Sequence, residues 1–141
     1  MRTLPSKCSD EDIRSLVVEW WELIAAGKYE EAFEMLAYHD VDGIVWTPQT
    51  LKEGIATGCC MSPPRGVPQS LHADGVEPCD IEVDREHLFG LDPQRYCGMV
   101  HFDPLPMDPS EPFPGYLTAR FHIMKVERDQ ITLEFLDAHV M

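Results

Sequence analysis

YLTARFHIMKVERDQITLEFLDAHVM, residues 116–141, is the stretch whose reading decides the fold. Residues 116–126 and 131–140 are both rich in Val, Ile, Leu, Phe and Thr, and the polar run Glu127-Arg128-Asp129-Gln130 lies between them. Two such runs around a polar turn predict a long antiparallel hairpin. Pairing Glu127 with Gln130 sets the register. One face then carries Leu117, Ala119, Phe121 and Ile123 against Val140, Ala138, Leu136 and Glu134, and is almost wholly apolar. The other face pairs Val126 with Ile131, Met124 with Leu133, His122 with Phe135, Arg120 with Asp137, and Thr118 with His139. An odd loop of three or five residues would flip the parity and scatter that second face.

At the open end of the hairpin this register gathers Tyr116, Thr118, Arg120, His122, Asp137 and His139. Two readings stay open. In the first, the group lines a concave pocket. Asp137 is then the candidate base or His139 the candidate proton shuttle, with Arg120 holding an anionic substrate and Tyr116, Thr118 and His122 as further candidate ligand-binding residues. In the second, Arg120 and Asp137 form a cross-strand ion pair and His139 hydrogen-bonds Thr118, a structural arrangement of the kind sheets commonly carry.

Upstream, Cys79–Asp84 alternates apolar residues with acids and reads as a strand, and residues 95–103 read as another. Two breaker segments interrupt the pattern. Residues 57–78 hold Gly58, Pro63, Pro64, Gly66, Pro68, Gly75 and Pro78, a density at which no helix or strand is expected. Residues 104–114 hold Pro104, Pro106, Pro109, Pro112 and Pro114 and read as an extended connection.

The amino-terminal part is helical. Ser9 is placed to cap a helix whose first turn is Asp10-Glu11-Asp12, and Ile13, Leu16, Val17, Trp20, Leu23 and Ile24 follow at helical spacing up to Gly27. Trp20 and Trp21 point about 100° apart on a helix, so one is expected in the core and the other at its edge. A short helix follows with Tyr29, Ala32, Phe33 and Leu36 as its stripe, and His39 is read at its end. A third helix is predicted over Pro48–Ala56 behind a Thr47 cap. The run Ile44-Val45-Trp46 before it reads as a short strand or a connecting core segment. Helices first and strands after is the order of an α+β fold, with N-terminal helices packed on one face of an antiparallel sheet. The 141 residues make one domain, 1–141.

Charge narrows the partners. Lys and Arg number 11 against 25 Asp and Glu, a net charge of −14, with both ends acidic and the middle neutral. A phosphate backbone and an anionic membrane both repel such a surface, so neither nucleic acid nor membrane is expected as a partner. A basic protein or a small-molecule ligand is. The five cysteines include an adjacent pair, Cys59-Cys60, and no CxxC. With no apolar leader at the amino terminus, free thiols in a reducing cytoplasm are the expectation. Cys59 or Cys60 as a nucleophile would need a nearby base. His101-x-Asp103 puts two ligand types on one strand face but local spacing supplies no third, so no metal and no cofactor are expected.

SLVVEWWELIAAGKYEEAFEML, residues 15–36, resembles the start of NTF2-like domains, where a long helix, a glycine-containing break and a short helix precede a strongly curved sheet. The likeness implies a cone of helices on a curved antiparallel sheet. Some NTF2-like families are enzymes (isomerases, cyclases, dehydratases) and others only bind. The end of the chain, Asp137, His139, Val140 and Met141, is similar to a D-x-H-V-[LM] pattern that closes small bacterial proteins. Three roles follow as expectations. The chain is a non-catalytic binding domain that neutralises a basic protein; or an enzyme of isomerase or cyclase type with an Asp/His pocket; or a homodimer paired through Met124, Val126, Ile131 and Leu133.

Overall fold

The computed structural model describes residues 1–40, 43, 45–57, 66–76, 78–88, 90–108 and 117–140. In chain order the elements are β1 (Leu4–Pro5), α1 (Asp10–Ala25), α2 (Tyr29–Met35), β2 (Ala37–Tyr38), α3 (Pro48–Thr57), β3 (Val67–Pro68), β4 (Asp80–Asp84), β5 (Tyr96–Asp103), β6 (Met107–Asp108), β7 (Leu117–Val126) and β8 (Gln130–Val140). The fold is α+β, three helices packed on a strongly curled antiparallel sheet that forms a half-barrel.

α1 starts where its chemistry says it should. Ser9 Oγ accepts from the Asp12 amide and the Asp12 carboxylate accepts from the Ser9 amide, closing a capping box worth about 1 kcal/mol. Gly27 ends it at φ +78°, a conformation that suits glycine. Thr47 Oγ1 likewise accepts from the Thr50 amide at the head of α3.

The main sheet runs β1-β8-β7-β5-β4, and β2 joins β8 in parallel. β7 and β8 form the long hairpin, with a register that differs from the expected one in an instructive way. The loop has three residues, Glu127 to Asp129, and Val126 pairs with Gln130. Taken alone that would flip the open end. A bulge at Leu136, which has no partner on β7, restores the parity. Arg120 therefore lies opposite Asp137 and Thr118 opposite His139, as expected. Between bulge and turn each partner is shifted by one. His122 faces Glu134 rather than Phe135, Phe121 faces Phe135, and Met124 faces Thr132. Glu134 consequently leaves the apolar face.

That apolar face carries the helices. Leu117, Ala119, Phe121, Ile123, Ile131, Leu133, Phe135 and Ala138 pack with Ile13, Leu16, Val17, Trp20 and Ile24 in one core. Both tryptophans are fully buried, because α1 is covered on two sides. Trp20 meets Phe121 and Phe135 with ring centroids 5.2 and 5.4 Å apart, and Trp21 meets Phe102 at 5.6 Å. The indole N–H groups are satisfied, Trp20 donating to Tyr38 Oη and Trp21 to the Gln69 carbonyl. Trp46 belongs to a core segment and not a strand. It is buried on Phe135 and donates to the His39 carbonyl.

The two breaker segments are not strandless. Val67–Pro68 of the first pairs with Met107–Asp108 of the second. A two-residue ladder needs few donors, so proline's missing N–H is tolerated there. α1 fastens the same segment, since Glu22 accepts from Ser70 Oγ and from the Leu71 amide. Cys59, Cys60, Ile44 and Met141 lie outside the described residues.

Candidate functional site

Side chains alternate along a strand, so the residues between the core positions face the other side of the sheet. Across that face run rows of polar groups. Glu82 lies beside His101, His101 beside Arg120, and Arg120 opposite Asp137. One row along, Asp84 lies beside Met99, Met99 beside His122, and His122 opposite Glu134. Thr118, Arg120, His122, Asp137 and His139 thus share one face, but it is the face turned away from the helices. Tyr116 lies outside the described residues.

Arg120 grips Asp137 with both arms, Nε to Oδ1 at 2.9 Å and Nη2 to Oδ2 at 2.6 Å. Burial pushes the Asp137 carboxyl up, but the hydrogen bonds and charge of Arg120, with His139 adding to them, hold it below the ordinary aspartate value. The same hydrogen bonds raise Arg120. His139 Nδ1 stands 3.4 Å from Asp137 Oδ1 without hydrogen-bond geometry. Thr118 Oγ1 is buried and also unbonded, so the expected His139–Thr118 hydrogen bond is absent.

A second carboxylate anchors the neighbouring rows. Glu134 is only 4% exposed. Its Oε1 accepts from Tyr96 Oη at 3.0 Å, lies 3.1 Å from His122 Nδ1 and 3.6 Å from His39 Nδ1. Burial pushes its carboxyl up; the bonds to His122 and Tyr96 and the charges of both histidines outweigh it and leave the value lowered. Tyr96 is raised, by burial first and then by the hydrogen bond it donates to Glu134 and the charge of that carboxylate. The sequence reading did not find this cluster. Its one signal was a carboxylate amid the apolar run 131–136, which demanded a partner. His39 does not end a helix. It follows β2, which lays it beside Glu134.

Among the described residues no set of three His, Cys, Asp or Glu side chains could hold a metal ion, and no helix is long and apolar enough to cross a membrane. The apolar outer surface expected for a dimer is smaller than foreseen, since Ile131 and Leu133 belong to the core.

Acidic side chains also lie along the edge of the sheet formed by the described residues. β4 ends the strand order, and its Asp80 and Glu82 are exposed. Asp10, Glu82, Asp84 and Glu86 line a groove of about 310 Å³ beside it together with Arg85, whose Nε lies 3.0 Å from Asp10, and His87, whose Nδ1 lies 3.2 Å from Asp84. Asp84 accepts from the Glu86 and His87 amides, bonds that hold its carboxyl below the usual range. Arg14 of α1 caps the Ile81 carbonyl on this strand.

No family model, no curated protein and no solved structure matches this chain. What defines it is its architecture, a curled half-barrel sheet compatible with a cone-like fold.

Proposed function

We propose that this protein is a non-catalytic binding domain, an outlying NTF2-like cone, that takes a basic protein as partner along the edge strand β4. One observation carries the reading. The last strand of the sheet is acidic on its exposed positions and is bordered by the carboxylates of Asp10, Asp84 and Glu86. Apart from the Ile81 carbonyl, which Arg14 already occupies, the strand edge offers backbone hydrogen bonds, and alternate cationic side chains of an added strand would meet Asp80 and Glu82. Two further features support binding over catalysis. The candidate base Asp137 is engaged by Arg120 at both oxygens. The helix-bearing face is filled with aromatic rings.

The test is fluorescence anisotropy with a labelled peptide of alternating lysine and valine. Binding is expected at low salt, weakening as salt shortens the Debye length, and lost in the Asp80→Lys/Glu82→Lys double variant. Equal binding of a peptide with glutamate in place of lysine, or no binding at low salt, rejects the reading. The alternative, a small-molecule enzyme of isomerase or cyclase type, draws on His139 Nδ1, unbonded beside Asp137. It predicts turnover that His139→Ala abolishes.

A further inference from the structure

We infer that Arg14 of α1 is a gate on the edge of β4. It occupies, from within the same chain, a carbonyl that an incoming strand must pair with, and so holds down the affinity for that strand. The gate rests on the edge-strand partner proposed above and adds its regulation.

Hydrogen-bonding directions alternate along an antiparallel strand, so one outward carbonyl fixes the rest. Arg14 Nε donates to the Ile81 carbonyl at 3.0 Å, from a helix outside the sheet. Ile81 therefore turns its backbone groups away from β5. The β4–β5 register runs from Asp80 to Asp84 without a bulge. Val83 accordingly turns its groups outward as well, while Asp80, Glu82 and Asp84 turn theirs toward β5. The Asp84 carbonyl oxygen is indeed aimed at Gly98 of β5. Within β4 the free edge thus belongs to Ile81 and Val83, whose side chains pack toward the core. Arg14 claims the first of them.

α1 closes this edge at two points. Arg14 Nη1 reaches back to Glu11 at 3.4 Å, one turn earlier, which keeps the guanidinium at the edge. Asp10, in the first turn, lies 3.0 Å from Nε of Arg85, the residue after β4. Between the two contacts Val83 is open, flanked by Glu82 and Asp84. The Arg14 side chain is 40% exposed, so displacing it costs a hydrogen bond and little packing. An added antiparallel strand sets residues with core-side side chains opposite Ile81 and Val83, and those residues exchange both backbone bonds. In a strand of alternating lysine and valine they are the valines, and the lysines fall opposite Glu82 on the other face. Valine amides, and not lysine amides, therefore compete with Arg14.

Anisotropy with the labelled lysine–valine peptide tests the gate on the full chain, in wild type and in Arg14→Met, which keeps an apolar stem and loses the donor. Arg14→Met should bind about fivefold tighter, the factor one net hydrogen bond supplies. The peptide N-methylated at its lysines should show the same gain. Methylated at its valines it should bind weakly to both proteins and show no gain, because it has no donor left for the freed carbonyl. Equal or weaker binding of the unmodified peptide by Arg14→Met overturns the gate and leaves the edge reading standing. An undiminished gain with the valine-methylated peptide also overturns it, since that gain comes from the lost charge alone. No binding of the unmodified peptide by wild type rejects the edge reading itself, and the gate falls with it.

Discussion

The two faces of the one sheet hold buried side chains of opposite chemistries. Phe121 and Phe135 on the helix-bearing side are fully buried, and their neighbours are rings and aliphatic chains. Thr118, His122, Thr132 and Glu134 on the reverse side are nearly as enclosed. There, what decides the energetics is whether each polar group has found a partner. The first face contributes stability through area removed from water. The second contributes little net stability but penalises any arrangement in which its pairs are broken.

Substitutions can break that contrast. Phe121→Ala should cost about 3–5 kcal/mol in a urea melt, the loss usual for a buried aromatic ring. Glu134→Ala should cost about 1–3 kcal/mol, because Tyr96 and His122 lose their shared acceptor, and Glu134→Gln should recover part of it. A loss at Glu134 equal to that at Phe121 would erase the distinction between the faces. Acid sharpens it further. Glu134 and Asp137 are both lowered in the folded state. The stability they contribute is present above their unfolded values, about 4.3 and 3.9, and is lost as pH falls through the folded values. Wild type should therefore lose stability below about pH 5, and Glu134→Gln should flatten that slope in a series of melts. The smallest effect is expected at Asp137→Asn. Arg120 is 39% exposed, so solvent screens the pair, and about 0.2–1 kcal/mol should be lost, less at high salt.

Much of this was legible in the sequence, and the misses have physical causes. The capping box of Ser9, the stop at Gly27 and the long hairpin are local matters of side-chain chemistry and periodicity, and the structure has them. The Arg120–Asp137 pair emerged from a two-residue turn, although the loop has three residues, because the bulge at Leu136 cancels the difference. Bulges leave no mark in composition, so alternation counted through Leu136 put Glu134 on the wrong face and hid its cluster with Tyr96, His122 and His39. β2 is two residues long and gives no periodic signal, yet its parallel pairing with β8 is what delivers His39. Trp21 became a core residue because Gln69 and Phe102 close over α1, a contact made by segments distant in the chain.

The bulge itself has a meaning apart from register. Since Leu136 faces no residue on β7, a β8 shortened by that one residue would keep the same neighbour at each remaining position, from Val126 beside Gln130 to Leu117 beside Val140. Partner choice cannot be what the additional residue provides. A bulge of this kind bends its strand and tightens the local twist, so the one residue by which β8 exceeds β7 goes into the shape of the sheet, which is strongly curled.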